Sequence, residues 1–238
     1  TMERMFQNAY KFDGKINFTS TAKVKRMDYM FAGYTDFNQE LHFDTQNVTT
    51  MKCMFNHAAV FNSKINFTST ALVNDMSSMF SDTTAFDQPL DFDTQNVKDM
   101  GKMFYKAKGF NKPLGFKTDE VTNMAKMFSE ASVFNSQLDF TSTAQVTSME
   151  KMFNKAFVFD KPVEFDTRSV TSMFSMFADA HQFNQPVDFD TANVRNMGAM
   201  FQNAYKLNKR INFTSAYKVQ EMGSMFYRAK KFNQPISF

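Results

Sequence analysis

VTNMAKMFSEASVFNSQLDF, residues 121–140, is one copy of a unit that recurs from end to end of this 238-residue chain. Its apolar positions read Val-x-x-Met-x-x-Met-Phe-x-x-Ala-x-x-Phe-Asn-x-x-Leu-x-Phe. The Met pair with its adjoining Phe returns ten times, from Met2/Met5/Phe6 through Met124/Met127/Phe128 to Met222/Met225/Phe226, at steps of 24 or 25 residues. All 20 Met residues fall in these pairs, so the period is not a product of composition. A fixed short period overrides the prior of one or two globular domains that length alone suggests.

The first half of the unit predicts a short helix. Met, Met, Phe and Ala stand at i, i+3, i+4 and i+7, one apolar stripe at helical spacing. The residue before the first Met is Thr1, Thr50, Asp75, Asp99, Asn123, Ser148, Ser172 or Asn196 in eight of ten units, with Arg26 and Glu221 the exceptions. Those are N-cap residues, whose side-chain oxygens accept from orphaned helix N–H groups.

The second half predicts a strand. Ile16, Leu41, Ile65, Leu90, Leu114, Leu138, Val163, Val187, Ile211 and Ile236 each precede a Phe by two positions, which puts both side chains on one face. Between the halves comes a second Phe, Leu207 in one unit, always followed by Asn or Asp: Asp13, Asn38, Asn62, Asp87, Asn111, Asn135, Asp160, Asn184, Asn208 and Asn233. Such a polar column in a tight coil is expected to bond the backbone of its own and neighbouring units as a structural ladder.

The variable step has a chemical signature. Units with Thr after the strand Phe (Thr19, Thr68, Thr141, Thr214) carry the extra residue; those with Asp44, Asp93, Asp166, Asp190 or Lys117 there do not. Two interchangeable turns therefore lead from strand back to helix, with Asp or Thr capping the turn.

Phe183–Phe201, FNQPVDFDTANVRNMGAMF, and Phe86–Phe104, FDQPLDFDTQNVKDMGKMF, closely resemble the BspA-like leucine-rich-repeat surface proteins, in the branch whose units read FNQPLDFDTxxVTxMxxMF. All ten units share the pattern. The resemblance implies an α/β repeat solenoid: a leucine-rich-repeat-like right-handed superhelix of ten units, each with one short parallel strand and one short helix. It also implies large modular proteins on the surfaces of bacteria, mycoplasmas and some protists, with adhesion and partner binding as their roles. The whole chain, 1–238, reads as a single repeat domain, a segment of a longer protein without terminal caps.

Composition narrows the chemistry. The core is unusual in kind, with 31 Phe, 20 Met and no Trp; flexible Met packs well against aromatic rings. A net charge of +3 argues against a nucleic-acid partner. One Cys, Cys53, excludes an internal disulfide framework and reads as a packing residue. His42, His57 and His181 occupy different repeat positions, and no phosphate-binding or zinc-protease motif is present. No catalytic residue set and no cofactor are expected. The Asn-x-Thr sites at Asn17, Asn66 and Asn212 are by-products of the repeat; Asn47 adds a fourth.

The outward strand positions hold Glu40, Asp44, Asp91, Asp93, Asp139, Glu164, Asp166, Asp188 and Asp190 against Lys15, Lys64, Lys117 and Arg210, while basic residues gather near the helix ends. This acidic strand face, with His42 among its residues, is the expected binding surface for a protein or glycan on another cell. Glu164, Asp166, Asp188 and Asp190 would form a square of carboxylates in which Ca²⁺ could relieve like-charge repulsion; otherwise they form a solvated acidic face. The alternative to adhesion is a structural spacer, or a subunit of a fibre or surface layer that self-associates through its ends. Extracellular or cell-surface placement follows from the resemblance, with any membrane attachment left to an anchor elsewhere in the parent protein.

Overall fold

The computed structural model describes residues 1–237; Phe238, the Phe expected to follow Ile236, lies outside them. The ten units stack in order, each on the next, but the described residues contain no α-helix. The expected solenoid of helix-plus-strand units is therefore corrected. What stacks is a unit built mainly of turns.

The backbone of the fifth unit shows why. Met103 N–H donates to the Met100 carbonyl at 3.1 Å, Tyr105 to Lys102 at 3.0 Å and Ala107 to Phe104 at 3.1 Å, closing overlapping four-residue turns. Met100, Lys102, Phe104 and Lys106 instead donate out of the unit, to Asn123, Ala125, Met127 and Ser129, at 2.9–3.0 Å. A helix would consume these N–H groups internally. Alternating them lets one segment bond both itself and its neighbour. Four such outward bonds recur at each of the nine junctions, forming a continuous spine.

The alternation needs left-handed residues. Lys102 and Lys106 have φ of 58° and 57°, and every unit repeats positive φ two and six residues after its first Met, at 19 non-glycine positions and Gly33. Turns with positive φ at the third residue follow the type II pattern. For side chains other than Gly this conformation costs roughly 1–2 kcal/mol per residue, offset here by the inter-unit bonds. A segment of seven or eight residues is also too short to nucleate a stable helix by itself.

The helical spacing misled because consecutive four-residue turns place Met, Met and Phe inward at the same offsets. The capping chemistry operates, but on turns. Asp75 Oδ1 accepts from Ser77 N–H at 2.8 Å, Asp99 Oδ1 from Gly101 at 2.7 Å and Asn196 Oδ1 from Gly198 at 2.9 Å. The same residues join parallel bridges from unit to unit, from Arg26↔Thr50 through to Asn196↔Glu221.

Strands form in part of the chain only. β1 (Leu41–Phe43) pairs with β2 (Ile65–Phe67), and β3 (Val187–Phe189) with β4 (Ile211–Phe213) and then β5 (Ile236–Ser237), all parallel. Leu114 and Leu138 share a single bridge. The segments beginning at Ile16, Leu90 and Val163, expected as strands, are not paired.

Between spine and strands lies the core. Phe6, Phe31, Phe55, Phe80, Phe104, Phe128, Phe153, Phe177, Phe201 and Phe226 make one ring column with neighbouring centroids 5.4–5.6 Å apart. Within a unit each ring except Phe201, whose unit has Leu207, also stacks on the second Phe, as Phe104 does on Phe110 at 4.2 Å and 13°. The Met pairs from Met27 to Met200 are fully buried beside them.

Candidate functional site: the strand face and its openings

Two ladders of polar side chains tie the units together and are consumed in doing so. In the first, each Asn or Asp after the second Phe accepts, through Oδ1, the backbone N–H of its counterpart in the next unit. All nine links from Asp13–Asn38 to Asn208–Asn233 are made, at 2.8–3.0 Å. The bonds from Asn38 N–H and the Gln39 amide hold the Asp13 carboxyl below its ordinary range.

A second ladder escapes the sequence reading above. Thr21, Thr45, Thr70, Thr94, Thr118, Thr143, Thr167 and Thr191 are buried, and each Oγ1 donates to a carbonyl of the following unit, as Thr94 does to Lys117 at 2.9 Å. Its signal was a Thr three residues before the unit's Val in eight successive units, with Ala216 at the ninth place.

The acidic strand residues are divided in fate. Asp44, Asp93, Asp166 and Asp190 each accept the backbone N–H two residues on, at 3.0–3.3 Å, which is the turn chemistry their alternation with Thr suggested. Ser20, Ser69, Ser142 and Ser215 do the same work in the longer units. Asp166 also pairs with Arg168 at 2.6 Å, and that hydrogen bond is the main cause of its lowered carboxyl pKa. Asp188 accepts from Asn212 at 2.7 Å, with Arg210 at 3.5 Å. Glu40 lies 3.5 Å from His42 Nε2. Asp91, Asp139 and Glu164 are exposed, and their carboxylates have no partner among the described residues.

This distribution bears on the four carboxylates expected to form a square. Asp166, Asp188 and Asp190 are directed to Arg168, Asn212 and Thr214. Among the described residues no three His, Cys, Asp or Glu side chains converge to hold a metal ion.

The remaining chemistry-bearing side chains are scattered. His57 Nδ1 meets Asp82 Oδ2 at 2.8 Å, and His181 stacks on Tyr205 at 4.5 Å. Cys53 is buried at a left-handed turn position, not on a helix; burial pushes its thiol pKa up.

The strand face differs from the spine in one respect that bears on function. Backbone bonds join its strand segments at only four of nine junctions: the second to third, fifth to sixth, eighth to ninth and ninth to tenth units. The first three of these lead into a unit of the longer Thr type. There Thr68, Thr141 and Thr214 donate N–H to Phe43, Phe116 and Phe189, while their Oγ1 atoms accept from Thr45, Thr118 and Thr191 N–H at 2.9–3.0 Å.

Where a Thr unit is instead followed by an Asp unit, the strands part. A cavity opens at each such junction: about 320 Å³ between the first and second units, 590 Å³ between the third and fourth, and 330 Å³ between the sixth and seventh. A further 380 Å³ opens between the two Asp units that meet at Pro162 and Pro186. The inward residues beside the third-to-fourth opening, Ile65, Phe67, Leu90 and Phe92, are only half-buried, whereas Leu41, Phe43, Leu114 and Phe116 are buried.

Comparison with known sequences now places the chain. A family described as "Mycoplasma protein of unknown function, DUF285" matches residues 1–91, 90–185 and 163–238. The chain belongs to the DUF285 family. Three overlapping matches accord with the repeat, and no curated protein matches this DUF285 chain. No helix among its described residues is long and apolar enough to cross a membrane.

Proposed function

We propose that this DUF285 chain is a non-enzymatic, surface-exposed binding module that meets another protein or a glycan with its strand face. The observation that carries this reading is the contrast in how polar groups are used. Spine and ladder groups are spent inside the stack, while Asp91, Asp139 and Glu164 stand exposed without partners beside open clefts. Stacked repeats suit such a role because small units build extended surfaces. The resemblance to BspA-like surface proteins supports the same reading and a cell-surface location.

The test is charge reversal of Asp139, Glu164 and Asp188 to Lys, against reversal of the spine residues Lys102, Lys126 and Lys151 to Glu. Attachment to host cells and to arrayed extracellular proteins and glycans is then measured. Loss with the strand-face variant alone supports the proposal; equal binding by both variants contradicts it. A structural spacer is the second reading, favoured by the unbroken spine of inter-unit bonds. Filaments of the chain with no ligand on any array would favour it.

A further inference from the structure

Resting on that reading, we infer that the openings between the third and fourth units and between the sixth and seventh units are subsites for neutral oligosaccharides. The largest, about 590 Å³ between the third and fourth units, lies in the size range of small-molecule pockets. Its walls combine three kinds of chemistry.

The first is unpaired backbone. No backbone bond joins Ile65–Phe67 to Leu90–Phe92, so the Ile65 N–H and the Phe67 carbonyl lack the bonds that their counterparts make one junction earlier. There Leu41 donates to Lys64 at 3.2 Å and Phe43 accepts from Thr68 at 3.1 Å. Peptide groups left unpaired beside an open cleft can bond an occupant that offers both donors and acceptors. Hydroxyl groups do both.

The second is apolar. Phe67 and Phe92 stack at 6.0 Å and 8°, yet both are half-buried, leaving part of the ring surface open to the cleft. Such a floor suits the C–H face of a pyranose. The third is charge. Asp91 brings a carboxylate with no protein partner, a strong acceptor for sugar hydroxyls, and Asn66 adds an amide. No Lys, Arg or His lines this cleft, so nothing in its walls compensates an anionic sugar.

The same construction returns between the sixth and seventh units. Gln137, Asp139 and Glu164 line that cleft together with Phe140, half-buried, and Phe165, buried, whose rings lie 6.1 Å apart at 12°. The recurrence follows from sequence order: the extra residue of the Thr unit closes the junction before it, and the junction after it stands open where an Asp unit follows. These two clefts, three units apart, would let one longer glycan occupy both, with a gain from effective concentration.

The test is an array of neutral and anionic oligosaccharides probed with the whole chain, followed by titration calorimetry. Binding of a neutral glycan, weakened at least tenfold by Asn66→Ala with Asp91→Ala and less by Asp91→Asn, is the expected result. The melting temperature of each variant reports whether it folds. No neutral glycan bound, a preference for anionic glycans, or binding indifferent to these substitutions would overturn the inference. If the array is blank but charge reversal at Asp139, Glu164 and Asp188 still abolishes attachment, the cleft assignment fails and the strand-face reading stands.

Discussion

At the junction between the third and fourth units, two faces of the same chain behave differently. On the spine, Met51, Cys53, Phe55 and His57 donate N–H to the next unit at 2.8–3.0 Å; on the strand face, no backbone bond crosses. The spine is bonded at all nine junctions and the strand face at four. Cohesion and recognition are thus separated. A continuous spine carries the stack, so the opposite face is free to open wherever the order of turn types dictates.

The largest effect that sharpens this contrast is expected in the ring columns. Phe104→Ala removes a fully buried ring with neighbours in its own unit and both adjacent units, and should cost about 3–5 kcal/mol. Phe92→Ala, at the open junction, should cost less because its ring is only partly buried. Denaturant unfolding of both variants checks the ratio. Equal losses would mean that the two faces do not differ in packing.

Next comes the Asn ladder. Asn135→Ala takes the acceptor from Asp160 N–H, which it bonds at 2.8 Å, and should destabilise by about 1–3 kcal/mol. Asn135→Asp keeps the acceptor and should cost much less. If both behave alike, the ladder is not what the side chain contributes.

Thr68→Val should convert a closed junction towards an open one. It removes the Oγ1 that accepts from Thr45 N–H and donates to Asp44, both at 3.0 Å, for about 1 kcal/mol. Amide exchange at Leu41 and Thr68 should quicken while that at Tyr29 and Phe31, on the spine of the same junction, stays slow. Uniform acceleration would show that the faces open together.

The smallest effect is electrostatic. Arg168 holds the Asp166 carboxyl below its ordinary value, so the folded state binds that proton less readily than the unfolded one. The resulting stabilisation is present above the unfolded carboxylate value and is lost as pH falls through the depressed one. Melting temperatures of Asp166→Asn and the unsubstituted chain should converge as the medium becomes strongly acidic. A difference independent of pH would assign the effect to shape.

Much of this was legible in the residues. The period, the inward Phe and Met, the Asn column and the Asp turn caps all follow from side-chain chemistry that a repeated sequence displays openly. The helix was not legible correctly, because Met100, Met103, Phe104 and Ala107 occupy the same inward offsets in overlapping turns as in a helix. Nothing in Lys102, Lys126 or Lys151 marks a left-handed residue; the inter-unit bonds impose it from outside the segment. The interrupted strand face was encoded in the order of Thr and Asp units, but its consequence depends on which unit follows which. The cleft residues Asn66 and Asp91 acquire a setting only from that order.

The central claim is that the Met-x-x-Met-Phe segments are a spine of turns and not helices, and Lys126→Gly tests it most directly. Lys126 has φ of 59° and donates N–H to Glu150 at 2.8 Å. Gly removes the left-handed penalty of roughly 1–2 kcal/mol at the cost of backbone entropy. The account predicts a melting temperature that stays level or rises. In a helix interior the same change would lower stability by about 1 kcal/mol, and a clear drop would contradict the turn spine.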